Sequence, residues 1–397
     1  MKNPGILVIA FFVCLSAQSF ALESIDIYGY FESQYMGTRL NNRFHQLYSN
    51  KLRIDLTSAI SEKIDFGANF NYITYHGKTN WNILEFLSNK IATGISPENQ
   101  VLYTIPFNDR NYLDNCYIRF ALPFSDLTIG KQQISLGTGY VWNPTDVYNI
   151  KDVFDPTYEQ PGHNSIRYDI YIPGGISVTT VYSPEESWKM STKLFNLKFR
   201  LSHFDFHISA IESNWNFHDY EQRTPESRFF EGVDECRRLI GLSTAGEIFG
   251  LGTWVELAQN YMEKSQNFHE IVCGFDYTFD FQTYIMMEYY RNSLAKNDYQ
   301  DYTLTDWIRL YTSEQKAISK DQLYMMIQHP ITDLIDFGVS QIISLSDASI
   351  AFVPTLNYSM AQDVDVLFYF NINIGKSGTA YAHESGNGGL ARVKLYF

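Results

Sequence analysis

The sequence predicts an all-β fold: a transmembrane, antiparallel, up-and-down β-barrel of about 18 strands, with about 16 as the alternative count. Three observations lead to this prediction. Apolar and polar residues alternate in segments of roughly ten residues along most of the chain. Aromatic residues make up 16% of the 397 residues, although the mean hydropathy is negative. Beyond the amino-terminal region no apolar run is long enough for a membrane helix. Strands whose apolar face meets lipid would explain all three.

The amino-terminal segment, residues 1–21, is predicted to be a secretory signal peptide. Lys2 gives it a positive start, an apolar run follows, and Ser19 and Ala21 are small residues at the positions that precede a cleavage site. Residues 22–397 are then one barrel domain. The formal net charge of the whole chain is −14, which argues against nucleic acid as a partner.

The strand pattern is clearest in residues 51–57, where Leu52, Ile54 and Leu56 share one face. Lys51, Arg53 and Asp55 share the other face, so lipid would cover the first set and water the second. Similar alternation recurs in residues 64–72, 166–172 and 364–374. From such segments we expect strands to begin near Ile25, Lys51, Ile64, Asn111, Leu127, Ser165, Ile176, Lys193, Phe204, Arg237, Gly250, His269, Gln282, Gln322, Leu334, Ala348, Val364 and Gly389.

The connections between these segments alternate in length, which tests the strand count independently. Barrels of the outer-membrane type have short turns on the periplasmic side and longer outer loops. The short connections carry turn residues at 61–63, 124–126, 173–175, 201–203, 279–281, 331–333 and 361–363. The long ones are 77–110, 137–164, 214–235, 292–321 and 375–388, with 345–347 an unusually short outer connection. Helical spacing of apolar residues predicts a short helix within 304–318.

The last strand ends in an apolar alternation whose final residue is aromatic: Val393, Leu395, Tyr396 and Phe397. This resembles the recognition strand of bacterial outer-membrane proteins. The resemblance implies a Gram-negative cell, an integral position in the outer membrane, and two partners, the membrane lipid and the barrel-assembly machinery. Arg392 and Lys394 of the same strand should face the lumen, next to Asp26 and Glu32 of the first strand.

A second resemblance covers a small part of the chain. Residues 129–137 read Ile-Gly-Lys-Gln-Gln-Ile-Ser-Leu-Gly, and Trp-Asn-Pro-Thr-Asp follows at 142–146. This is similar to a strand and outer loop of porin-like families, including alginate-export-type barrels. Lys131 stands where those families carry arginine, and Leu136 stands where they carry tryptophan. The resemblance implies a porin-like barrel and does not imply alginate as the solute.

Inward-facing charges define the candidate pore lining. We expect basic residues mainly on the first half of the barrel and the closing strand, and acidic residues mainly on the later half. Opposed rows would set up a transverse field that orients polar solutes, whereas the alternative is that each charge pairs with a neighbouring strand. The basic set is Lys51, Arg53, Arg119, Arg167, Lys198, Arg200, Arg392 and Lys394, and the acidic set is Asp205, Glu256, Asp276, Glu288, Asp336 and Asp365.

A barrel of this size needs an inward loop to narrow its lumen. The candidates are the connections 77–110 and 137–164. The second combines aromatic residues with Asp152, Asp155 and Glu159, so it could constrict the lumen or stack sugar rings. The alternative is a loop packed under its neighbours. The residues that would form the constriction or the stacking track are Trp142, Asp146, Tyr148, Phe154 and Tyr158.

The predicted function is passive diffusion of small hydrophilic solutes through the barrel. Two alternatives stay open: a barrel selective for a saccharide or an anion, and a surface adhesin or receptor anchored by the barrel. No Gly-x-Ser-x-Gly motif occurs, and Cys116, Cys236 and Cys273 have no metal-ligand spacing. We therefore expect no enzymatic activity, no cofactor and no metal. Assembly into a homo-oligomer is left open.

Overall fold

The computed structural model describes residues 25–40, 43–92, 95–219 and 231–397, so the predicted signal peptide lies outside the described part. Within these residues, one sheet of 18 antiparallel strands forms. The strands are β1 (Ile25–Leu40), β2 (Arg43–Ser61), β3 (Ile64–Gly77), β4 (Arg110–Leu122), β5 (Ser125–Gln133), β6 (Gly162–Ile172), β7 (Ile176–Ser183), β8 (Thr192–Leu201), β9 (Phe204–Asp219), β10 (Glu231–Ile248), β11 (Leu251–Met262), β12 (Phe268–Thr278), β13 (Tyr284–Asn292), β14 (Asp321–Thr332), β15 (Ile335–Ser344), β16 (Ser349–Ala361), β17 (Val364–Ile374) and β18 (Asn387–Tyr396).

The sheet closes on itself. Each strand pairs with the next one, and β1 also pairs with β18, from Tyr30 opposite Tyr396 to Arg39 opposite Asn387. Phe397 extends this seam, because its backbone exchanges hydrogen bonds with Gly29 at 3.0 and 3.1 Å. Closure pairs the strand edges that an open sheet would leave exposed. The predicted all-β barrel with about 18 strands is confirmed.

The outer surface of the barrel is apolar. Alternate side chains along the strands point outward and stay exposed, as for Ile27 (64%) and Phe370 (57%). Their neighbours in sequence point inward and are mainly polar, such as Glu32 and Asn71. Lipid on the outside and polar groups on the inside is the arrangement that the period-two pattern predicts. Among the described residues, no helix has both the length and the apolar character needed to cross a membrane.

The connections follow the predicted alternation of short and long only in part, because those after β11 and β15, at 263–267 and 345–348, are short although both strands are odd-numbered. Those after even-numbered strands are short, at 62–63, 123–124, 173–175, 202–203, 249–250, 279–283, 333–334 and 362–363. Those after β3, β5 and β13 are long, at 78–109, 134–161 and 293–320.

Two predicted boundaries are wrong. β2 begins at Arg43 rather than near Lys51. β9 extends to Asp219 and β10 begins at Glu231, so half of the expected 214–235 connection is strand. In the first of these, Leu47 faces inward yet is buried with Leu40 and Trp81. A loop rather than water covers that position, so an apolar residue stands where the alternation expects a polar one.

The long connections pack together above the strands. They contain a small hairpin (Asn80–Asn82 with Thr104–Pro106), 3₁₀ turns at Ile83–Phe86, Val101–Tyr103, Tyr299–Asp301 and His383–Ser385, and helices α1 (Asn89–Ala92), α2 (Pro97–Gln100) and α3 (Leu304–Tyr311). Helix α3 lies where a helix was predicted but ends before Ile318, and a capping box between Thr303 and Asp306 starts it. Leu84, Trp307 and Ala380 belong to one buried cluster, so three connections share a core.

Candidate functional site

The connection 134–161, here called the crossing loop, folds into the barrel and touches opposite walls. Its middle lies against β11–β13, and its end lies against the seam between β18, β1 and β2. A loop inside a barrel takes its backbone amides away from bulk water, so they need partners from the wall. Two groups of wall side chains supply them.

Glu288 of β13 is the first anchor and is fully buried. One carboxylate oxygen accepts hydrogen bonds from the backbone N–H groups of Val141 and Trp142 at 2.8 and 2.9 Å. The other oxygen accepts from the N–H of Tyr140 and from the indole Nε1–H of Trp254 at 2.8 Å. Hydrogen bonds to a charged acceptor are stronger than neutral ones, so this carboxylate fixes three consecutive residues of the crossing loop.

Glu256 of β11 is the second anchor and is likewise fully buried. It accepts from the backbone N–H of Thr138 at 2.8 Å, and from the N–H and hydroxyl of Thr145 at 2.6 and 2.7 Å. Gly137 adopts φ +85°, and a Cβ there would lie 2.5 Å from the carboxylate. Only glycine allows the loop to approach so closely in this conformation.

Apolar packing accompanies these anchors. The ring of Trp142 stacks on Tyr290 with centroids 5.2 Å apart and planes at 12°, beside the buried Val272 and Met286. Trp142 is only 2% exposed. Its ring is therefore not accessible to a solute, and the expected stacking role does not hold for this residue.

Asp146 and Tyr148 shape the crossing loop from within. The Asp146 carboxylate accepts from the backbone N–H groups of Tyr148 and Asn149 at 2.9 and 3.0 Å. The Tyr148 hydroxyl lies 2.9 Å from the hydroxyl of Ser183 on β7. Phe154 is partly buried against the same cluster as Trp142. These three residues hold the loop's path, as the packed-loop alternative expects.

The far end of the crossing loop meets basic residues of the seam. Glu159 accepts from Lys51 and Arg53 of β2, each at 2.9 Å, and from the hydroxyl of Tyr30 on β1 at 2.8 Å. Arg53 also contacts Asp55 at 2.8 Å. Burial alone would raise the pKa of Glu159, but Lys51, Tyr30 and Arg53 hold it below its ordinary value.

A second set of contacts continues this attachment along β18. Arg392 contacts Asp155 at 2.7 Å and lies 4.6 Å from the ring centre of Tyr158. The Tyr158 hydroxyl donates to Glu32 at 3.1 Å, and Lys394 lies 3.4 Å from the same carboxylate. The predicted neighbourhood of Glu32 with Arg392 and Lys394 is thus found. Asp26 is not part of it, because it faces Thr57 and lies beyond the β1–β18 pairing.

The other predicted pore-lining residues pair with close neighbours. Basic ones contact aspartates on the same or the adjacent strand: Arg119 with Asp65 at 2.5 Å, Arg167 with Asp169 at 2.8 Å, and Lys198 and Arg200 with Asp205 at 3.4 and 2.7 Å. Asp276 accepts from the Tyr284 hydroxyl and Asp365 from the Ser359 hydroxyl, while Asp336 faces Pro330 in register. For most basic residues the neighbour-pairing alternative therefore describes the geometry.

The sequence prediction placed Glu256 and Glu288 in an acidic pore lining and did not predict that they anchor the crossing loop. The sequence nevertheless carries a signal for this role. The inward neighbours of Glu288 on its strand are Met286 and Tyr290, and those of Glu256 are Trp254 and Ala258. Apolar inward residues on both sides indicate a covered carboxylate rather than one that faces water. Lys151 belongs to the same buried region, where it donates to the carbonyls of Gly139 and Tyr140 at 3.0 and 2.8 Å, and burial lowers its pKa.

Comparison with solved structures finds the same architecture in other barrels. OccAB2 of Acinetobacter baumannii aligns with a TM-score of 0.58 at 6% identity, covering 96% of this chain and 99% of that chain. OccAB4 of the same organism aligns with a TM-score of 0.56 at 8% identity, with the same coverage. Comparison with known protein families gives no match, and comparison with curated proteins gives none. At these identities the likeness establishes the fold.

A closed antiparallel barrel with an apolar outer belt is the form in which β-sheets cross the bacterial outer membrane. The chain is an integral outer-membrane barrel of the porin-like fold class. Within the described ranges, no group of three His, Cys, Asp or Glu side chains is arranged to hold a metal ion.

Proposed function

We propose that this barrel is a channel through which small hydrophilic solutes cross the outer membrane by passive diffusion, with the crossing loop setting the width of the path. The observation that supports it is the attachment of that loop to two opposite walls, by Glu256 and Glu288 on one side and by Lys51, Arg53 and Arg392 on the other. An open barrel of this strand number leaves a wide lumen, so a loop held across it determines what passes.

The charge pairing refines the expected selectivity. Arg53, Arg119 and Arg167 each contact an aspartate, and paired charges produce a weaker field in the lumen than separated rows would. We therefore expect the path to discriminate by size and polarity more than by the sign of a solute's charge. Membrane lipid, the barrel-assembly machinery and homo-oligomer assembly stay predictions for this chain, as does the absence of enzymatic activity.

Conductance in planar lipid bilayers tests the proposal directly. The purified barrel should produce discrete current steps, and liposomes that contain it should swell in small sugars and amino acids but not in large oligosaccharides. A barrel that inserts, as shown by protease protection, yet produces no steps at any voltage and no swelling, would overturn the channel function. That result would favour the anchored adhesin or receptor.

A further inference from the structure

A cavity of about 390 Å³ lies between the crossing loop, the wall of β9–β13 and the connection 293–320. Trp215, Arg237 and Phe268 line it at the ends of their strands that lead into the connections after odd-numbered strands. It therefore lies in the outer half of the barrel, on the side of the crossing loop that a solute entering from outside reaches first. Its volume falls within the range of about 300–1,000 Å³ typical of small-molecule sites.

Arg237 is the notable side chain of this cavity. It is 7% exposed, its guanidinium carbon lies 4.3 Å from the ring centre of Trp215, and its Nε donates to the Ser213 hydroxyl at 3.4 Å. Among the described residues no carboxylate lies within ion-pair distance of it. An arginine has five N–H donors, and a buried donor without an acceptor is costly, so most donors of Arg237 are available to whatever fills the cavity.

The surroundings of Arg237 indicate what it lacks. Glu270 and Asp146 lie near enough to act on its charge without contacting it. Glu270 is itself paired with Lys316 at 3.2 Å. The positive charge is thus offset at a distance, whereas the N–H groups have few acceptors. The cavity lining holds three basic residues (Arg237, Arg309 and Lys316) and three acidic ones (Asp146, Glu270 and Glu314). With the two signs in equal number, a neutral ligand rich in oxygen acceptors fits better than a charged one.

The rest of the lining fits the same chemistry. Trp215 and Phe268 form an aromatic wall with ring centres 5.6 Å apart, and side-chain amides of Gln160, Asn292 and Gln315 also line the cavity. Aromatic surface packs against the C–H faces of sugar rings, while amides both donate to and accept from hydroxyls. We propose that this cavity binds a neutral saccharide on its way to the crossing loop, an inference that rests on the proposed channel function and names its solute class.

A titration of the purified barrel in detergent, followed by tryptophan fluorescence, tests the site without requiring conduction. The probes are glucose and glucuronate, which differ by one carboxylate. Glucose should produce a saturable change and bind more tightly than glucuronate. Arg237→Ala should weaken glucose binding about tenfold. Arg238→Ala is the matched control: Arg238 faces outward, pairs with Glu212 at 3.1 Å, and its loss should change nothing.

Arg237→Lys covers the case in which the alanine variant does not fold. It keeps the charge but reduces the donors from five to three, so glucose binding should fall several-fold while an anion site would be little affected. Tighter binding of glucuronate than of glucose, or no saturable change with either, would overturn the saccharide site. Current steps without saccharide binding would support the channel function and overturn the saccharide site. Saccharide binding without current steps would support the site and overturn the channel function.

Discussion

Replacing Glu288 by glutamine should release the crossing loop from its wall. The carboxylate is fully buried and accepts from three consecutive backbone N–H groups and from the Trp254 indole. Glutamine has nearly the same shape but carries one acceptor oxygen and one NH₂ group. The substitution therefore removes acceptor capacity and charge without leaving a cavity.

The free energy of loop attachment that Glu288→Gln loses can be estimated by considering the two carboxylate oxygens separately. If the amide oxygen keeps the Val141 and Trp142 bonds, the NH₂ group faces the N–H of Tyr140 and the indole N–H of Trp254. Two buried donors then lose their acceptor, at about 1–3 kcal/mol each. The variant also avoids burying a charge, which offsets part of this loss. A net weakening of about 2 kcal/mol would shift the ratio of detached to attached loop roughly 30-fold.

Single-channel recording measures this shift. We expect Glu288→Gln to show a higher mean conductance and more current noise than the unmodified barrel, because the detached loop leaves a wider path. Liposome swelling should extend to larger sugars. Circular dichroism and heat-dependent gel mobility should remain those of a folded barrel, since the wall strands keep their pairing.

Glu247→Gln serves as the matched control, because Glu247 lies on β10 but is exposed. If Glu288→Gln and Glu247→Gln both conduct like the unmodified barrel, with the same size limit for sugars, the buried carboxylate does not hold the loop. The proposed origin of the constriction would then be wrong even though the barrel conducts.

Three further predictions concern the same loop. Arg53→Ala should raise the conductance, because it removes a contact of Glu159 and leaves Asp55 unpaired. Arg119→Ala is the control and should not raise it, because the pair of Arg119 with Asp65 is more exposed. Equal conductance in the two variants would contradict the seam attachment. The pKa of Glu159 is lowered, so its stabilisation is present above the ordinary glutamate value and lost as the pH falls through the lower folded pKa. Conductance should therefore rise as the pH falls below the ordinary glutamate value of about 4.3, and an unchanged conductance in that range would count against this anchor. Gly139→Ala places a Cβ against the carbonyl oxygen of Trp142 and should displace the loop, while Gly338→Ala, with its nearest neighbour at 3.5 Å, should be silent in the same recordings.

The strand pattern was predictable because two different solvents act on the two faces of each strand. Lipid outside and polar surroundings inside impose a period of two on segments such as residues 51–57. The prediction failed where a third environment intervenes. Leu47 faces inward but packs against Trp81 of the connection 78–109, and the polar residues Gln46 and Asn50 stand at outward positions. The alternation is therefore broken at the start of β2, and the predicted start lies eight residues too late.

The sequence predicted that a long loop enters the barrel, but it predicted only some of the contacts that hold this loop. The sequence left two connections, 77–110 and 137–164, as candidates for the inward loop, and the second of them enters the barrel. Its acidic end contacts the inward basic residues, Asp155 with Arg392 and Glu159 with Lys51 and Arg53, a pairing that the sequence interpretation did not make. The other attachment was hidden, because Glu256 and Glu288 bind backbone N–H groups. Every residue except proline carries such a group, so the residue types in the loop do not indicate which of its positions bind these glutamates.

The two attachments also change what the inward charges mean. From the sequence, Glu256 and Glu288 belong to an acidic row that would attract cations. Arg53 and Arg392 belong to a basic row that would attract anions. In the folded barrel the crossing loop lies between the rows and contacts both. Its amides satisfy the glutamates and its carboxylates satisfy the basic residues. A charge reversal at Arg53 should therefore alter loop attachment, and hence the width of the path, before it alters ion selectivity.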